Sequence, residues 1–191
     1  MMAQLRWQWM VAIGMAGAAA QASAHGVHAP VTLAQAGAAA GSVADPQPAA
    51  VHMEVKSVAP DVYYVQGVSA LGSPQNQNFI SNAGFVVTQD SVVVIDALGS
   101  PALAEMLVQK IKAITNKPIS TVILTHYHAD HIYGLQVFKA LGAKIIGNGL
   151  AKEYIHSETA KLRLEASRTE LAPWINASTQ LVNADEWIRA C

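Results

Sequence analysis

An α/β fold, with helices laid against a sheet, is predicted by three features of the sequence. Two β-branched runs, Asn82–Thr88 and Ser91–Ile95, are separated by Gln89-Asp90, the length of a tight hairpin turn. Beyond them, apolar stripes at helical spacing alternate with short apolar runs of strand length. Such alternation places helices against a sheet rather than in a bundle of helices or a pair of sheets.

The elements follow in order. Asp61–Val65 is a short β-rich run ended by Gly67. Ser91–Ile95 shows no polar alternation, so it reads as a central strand with both faces covered. Ser100-Pro101 then opens a helix, with serine as the N-cap and proline at the first helical position. Leu103, Leu107, Ile111 and Ile114 form its apolar stripe, and Lys117-Pro118 stops it. Ile119–Thr125 reads as a buried strand. Leu135, Phe138 and Leu141 mark a second helix, with Gly142 placed to end it. A strand over Ala143–Ile146, a partly exposed helix over Lys152–Arg168 and a strand beginning at Thr179–Val182 complete the pattern. These stripes are core and carry no function of their own.

The segment before Val51 has a different texture. Arg6 is the only charge in Met1–Gln21; an apolar run from Met10 to Ala20 follows, then Ala22-Ser23-Ala24. That order is a signal peptide, residues 1–24, and the run is too short to span a bilayer stably. The chain is therefore expected to be exported, periplasmic or secreted, with no stable membrane anchor once the leader is removed. Residues 25–50 read as a flexible linker, rich in Ala, Gly, Pro and Gln and poor in side chains large enough to offset the entropy of ordering. A domain over 51–191 follows.

Composition narrows the chemistry. Twelve Lys and Arg against 13 Asp and Glu give a formal charge of −1, with 13% charged residues, so nothing favours a nucleic-acid partner. The single cysteine, Cys191, excludes an internal disulfide and a cysteine-based zinc cluster. Any metal must be held by histidines and carboxylates.

Such residues are concentrated in Thr121-Val-Ile-Leu-Thr-His-Tyr-His-Ala-Asp-His131, where His126, His128, Asp130 and His131 begin as a buried strand ends. Loops beyond the carboxyl ends of strands are where α/β folds usually build ligand sites. His126 and His128, two apart, point the same way while the chain is extended, and Asp130 and His131 turn toward a second position as it bends into the next helix. Imidazole nitrogen and carboxylate oxygen suit zinc, and imidazole also suits iron or copper. A bound metal makes hydroxide available near neutral pH, and an adjacent carboxylate can orient it and take its proton.

The segment resembles the His-x-His-x-Asp-His signature of the metallo-β-lactamase superfamily, and the resemblance extends from about Val58 to Trp187. It implies the N-terminal half of an αβ/βα sandwich with a metal site at one edge. It implies that His126 and His128 hold a first zinc and that Asp130 and His131 hold a second. Asp130 would also be catalytic, orienting the attacking hydroxide, and Asp96 would play a supporting part. Tyr127 and Ala129 fall at variable positions of the signature and receive no role.

One departure accompanies the match. The family pattern continues with a downstream histidine, a bridging acidic residue and a last histidine, whereas here only His156 follows His131, in a predicted helix where it reads as a surface residue. The domain is therefore expected to be incomplete at its C-terminus. The implied function is zinc-dependent hydrolysis of an activated carbonyl in a small-molecule substrate, a β-lactam, a thioester or a similar small ester. The alternatives are an iron-dependent sulfur dioxygenase of the same fold, and an inactive truncated fragment with a partial metal site.

Overall fold

The computed structural model describes residues 47–189. The expected signal peptide, and the expected linker up to residue 46, lie outside the described residues. Within the described residues before Val51, Ala49 packs against the core, and the Ala50 N–H donates to Gln77 Oε1 at 2.9 Å.

The strands are β1 Val55–Ala59, β2 Val62–Val65, β3 Ala83–Val87, β4 Val92–Ile95, β5 Ile119–Ile123, β6 Lys144–Asn148 and β7 Glu186–Ile188. Among the described residues they form one seven-stranded sheet in chain order. Strands β1 to β4 pair antiparallel, and β4 to β7 pair parallel. The change of direction follows from the connections. Gln89-Asp90 closes the β3–β4 hairpin, where Thr88 and Ser91 bond across the turn, while the parallel strands are joined through helices. The helices are α1 Pro101–Ile114, α2 Ala129–Ile132, α3 Leu135–Ala140, α4 Gly149–Ile155 and α5 Glu158–Glu170.

Register decides which side chains meet the helices. Phe85, Val94, Val122 and Ile145 lie side by side across β3 to β6, and all four are fully buried. They share a core with Leu103, Leu107 and Ile111 of α1 and Leu135 and Phe138 of α3. Burying each such side chain contributes roughly 1.5–3 kcal/mol. The alternate row, Val86, Val93, Ile95, Thr121 and Ile146, is only half-buried, and Ile123 is 38% exposed. β4 therefore does not have both faces covered as its uninterrupted apolar run predicts; Val92 and Val94 are buried, Val93 and Ile95 only half so.

Helix α1 follows its sequence signals. The Ser100 side chain accepts from Leu103 N, and Pro101 stands at the first helical position. The stripe holds through Ile111 but fails at Ile114, 42% exposed in the last turn. Because Ser100 is fully buried, Ser100→Ala leaves the Leu103 N–H without a partner away from water. The expected cost is about 1–2 kcal/mol, read as a drop in Tm of several degrees; an unchanged melting curve would show that the hydroxyl does not cap the helix.

Two further expectations are corrected. The single helix predicted over Lys152–Arg168 is two, because the Ser157 hydroxyl accepts from Ala160 N and starts α5 afresh, with His156 left exposed at the end of α4. Thr179–Val182 is not a strand. The Thr179 hydroxyl accepts from Asn176 N in a local turn, and the last strand is Glu186–Ile188, with Trp187 against Gly147. Among the described residues no helix is long and apolar enough to cross a membrane.

Candidate metal centre

Parallel pairing of β4 with β5 sets Ile95 beside Ile123, so the chain leaves both strands at the same edge of the sheet. The two exits are tied together: Asp96 N donates to Ile123 O at 3.0 Å, and Ala97 N to His131 O at 2.9 Å. Asp96 (φ 63°) and Leu98 (φ 64°) lie in the left-handed region, which is costly for leucine and is maintained only by surrounding contacts. One of those contacts is the bond from Gly134 N to Leu98 O, 3.2 Å.

At this junction the structure brings together all four residues singled out in the sequence. The His126 ring lies 4.6 Å, centroid to centroid, from that of His128 and 4.1 Å from that of His131. Asp130 Oδ2 stands 3.3 Å from His131 Nε2. His128 is the N-cap of α2, so the segment passes from extended to helical between the two histidines and Asp130.

Asp96, only 4% exposed, organises the group. Its Oδ1 accepts from Thr125 N at 2.9 Å, and its Oδ2 accepts from the Thr125 hydroxyl at 2.7 Å and faces His131 Nδ1 at 2.8 Å. These contacts fix a tautomer. The Thr125 hydroxyl has one hydrogen and gives it to Asp96, so at the 2.9 Å contact with His126 Nδ1 it must accept. His126 Nδ1 therefore carries the proton and Nε2 keeps its lone pair, the form in which imidazole ligates a metal. Thr125 was not singled out from the sequence; a hydroxyl at a strand end just before a histidine is a signal too common to be diagnostic.

The electrostatics divide the histidines. Burial, and then electrostatic repulsion from the neighbouring imidazoles of His131 and His128, hold His126 below the ordinary imidazole pKa, so it is neutral near pH 7. Burial also works against a charge on His131, but its hydrogen bonds with Asp130 and Asp96 outweigh that and push its pKa up to about 9. The hydrogen bond from His131 in turn holds Asp130 below the usual carboxylate range. His131 thus stands as an imidazolium between two carboxylates, with both ring nitrogens engaged.

In donor chemistry the group fits a divalent metal: a neutral imidazole with a free Nε2, a second imidazole beside it and an ionised carboxylate. It is a partial set. Among the described residues, no three His, Cys, Asp or Glu side chains are arranged as a complete coordination group.

An open cleft of about 580 Å³ is lined by His128 and Asp130 together with Tyr127, Tyr154, Arg163 and Glu170. Sequence reasoning gave these last four no role, because three lie on helices far along the chain and Tyr127 sits at a variable position of the motif.

The family model of the metallo-beta-lactamase superfamily matches residues 77–185, more than half of the chain. Among solved structures, the chain is similar to a metallo beta lactamase from Hirschia baltica, at 18% identity and a TM-score of 0.48, over 74% of this chain and 52% of that one. It is similar also to a metallo-beta-lactamase from Pontibacter korlensis, at 16% identity and a TM-score of 0.47, over 72% and 53%. The chain thus spans about half the length of these two structures. The family match covers β3 to β6, the junction at Asp96 and the whole histidine segment, and on that match this chain belongs to the metallo-beta-lactamase superfamily.

Proposed function

We propose that the site is the metal centre of a zinc-dependent hydrolase acting on an activated carbonyl, in a β-lactam, a thioester or a similar small ester. The observation that carries this reading is the Asp96–Thr125–His126 relay, which leaves His126 Nε2 unprotonated beside His128, a residue of the cleft wall. His126 and His128 would hold the first ion, and Asp130 and His131 would be the donors for a second, His131 by giving up the proton on the Nε2 that faces Asp130. Zinc bound there supplies Lewis acidity toward a carbonyl oxygen and toward water. The protein's own part is to position and to receive protons. Asp130, kept ionised by His131, orients water through its carboxylate and accepts a proton at an oxygen. Asp96 holds Thr125, and through it His126, in place. The leader-like residues 1–24 support export, so the substrate is met outside the cytoplasm.

The full chain, stripped of metal and titrated with zinc, should take it up in a manner that depends on both histidines. His126→Ala and His128→Ala should each weaken uptake by at least about 100-fold, and Thr125→Val by about tenfold, the scale of losing support behind a ligand. Uptake unaffected by His126→Ala, or a preference for iron accompanied by oxygen consumption, would overturn the zinc hydrolase reading. Turnover of nitrocefin or of a thioester, sensitive to His128→Ala, would identify the carbonyl class.

A further inference from the structure

The cleft beside the histidines has a wall built for recognition. Tyr127 stands in sequence between His126 and His128; its ring lies edge-on to His128 at 5.7 Å and 84°, and stacks on Tyr154 at 4.6 Å and 27°. The wall therefore runs without a break from the proposed metal ligand to α4. Both tyrosines are only half-buried, so ring surface remains open to the cleft. Ile80 and Leu171 make much of the remaining lining apolar.

Arg163 of α5 lines the same cleft. It is half-exposed and, among the described residues, makes one ion pair, Nη1 to Glu170 Oε2 at 3.0 Å. A guanidinium carries five N–H donors in a planar fork. A single contact with Glu170 leaves donors for a second carboxylate, and an exposed pair of this kind is weakly held. An aromatic surface sharing a cleft with a guanidinium complements a flat, apolar body bearing a negative group. Tyrosine packs against such a body at small conformational cost, because its ring is already fixed by its neighbour.

We infer that Tyr127, Tyr154 and Arg163 form a substrate-recognition subsite for acyl compounds carrying an aryl group and a carboxylate, the ring on Tyr127 and Tyr154 and the carboxylate on Arg163. This deepens the hydrolase reading and rests on it for the position of the reacting carbonyl, next to His128 and Asp130. Tyr127 couples the two parts of the site, since it is the chain neighbour of both His126 and His128 and its ring contacts that of His128. Selection for aryl substrates is thus written into the variable position of the metal motif itself.

The test measures binding, apart from catalysis, with the full chain and a chelator present. Phenylacetate is titrated alongside cyclohexylacetate, which keeps charge and bulk but lacks the π face, and phenylacetamide, which lacks the charge. Phenylacetate should bind several-fold more tightly than cyclohexylacetate, and about tenfold more tightly than phenylacetamide. Arg163→Gln should weaken phenylacetate about tenfold and leave phenylacetamide unchanged. Tyr127→Leu should weaken phenylacetate several-fold, while Tyr127→Phe, which keeps the stack, should bind as the wild type does and rules out misfolding as the cause. Equal affinities for the three probes, or a loss on Arg163→Gln that is the same for charged and uncharged probes, would overturn the subsite. The outcome is separable from that of the metal titration: zinc uptake that survives while aryl selectivity fails discards the subsite alone, and the reverse discards the metal reading alone.

Discussion

Replacing Asp96 with alanine should lower the stability of the folded chain by roughly 3–5 kcal/mol, the scale of removing one partner from a buried ion pair. The carboxylate is nearly inaccessible and serves three groups, Thr125 N, the Thr125 hydroxyl and His131 Nδ1. Without it the β4 and β5 exits lose their main side-chain tie, and His131 is left with Asp130 as its one anionic partner. For a chain of this size the expected fall in Tm is about 6–20 °C.

Asp96→Asn separates geometry from charge. The amide oxygen can still accept from Thr125 N, but the amide no longer offers His131 a negative partner. His131 is pushed up from 6.5 to about 9 in the folded chain, so folding takes up a proton on this group. Its contribution to stability is therefore fully present below about pH 6.5 and is lost as pH rises through about 9. Metal-free wild type should lose stability across that window, and Asp96→Asn should start lower and lose less. A wild-type Tm that is flat from pH 6 to pH 9.5 would contradict the charged-histidine assignment.

How far the site was legible in advance depended on whether the signal was local. Ser100-Pro101 marks the start of α1 because capping acts within one turn, and the hairpin at Gln89-Asp90 is equally local. Four candidate ligands in six residues draw attention by density alone. Asp96 lies 35 residues before His131, and only the parallel register of β4 and β5 makes them neighbours. The cleft residues are harder still. Arg163 lies in a helix whose pattern is mostly solvent-facing, and nothing in its sequence neighbourhood shows that Tyr127 ends near it. The edge strand β7 is hidden for a related reason: three residues show no period, and they pair with the distant β6, where Asp185 just before them accepts from Ile145 N at 2.9 Å.

The other large effect is expected at Gly134, where fold and site meet. A Cβ built on this residue would lie 2.0 Å from the Ala97 carbonyl oxygen and 2.7 Å from Ala104 Cβ. Neither neighbour is a flexible side-chain end. Ala97 belongs to the 96–98 turn, with its two left-handed residues, and Ala104 is buried in α1. To accept one methyl group, α3 must move away from α1, or the turn must move and carry Asp96 with it. Overpacking a core typically costs 1–3 kcal/mol and occasionally more, and a clash with backbone places Gly134→Ala at about 3 kcal/mol or beyond. The variant should melt at least about 6 °C lower and, because the turn holds both Asp96 and the bond from Ala97 N to His131 O, should also bind zinc more weakly. Gly142→Ala is the control for a glycine needed only by its backbone. Its φ is +83° and no atom lies within 4 Å of the added Cβ, so the cost is conformational strain alone, about 1 kcal/mol. It should leave zinc uptake unchanged. If Gly134→Ala melted no lower than Gly142→Ala, the close approach of α3 to the Asp96 turn would be wrong, and with it the mechanical link between the helical layer and the metal centre.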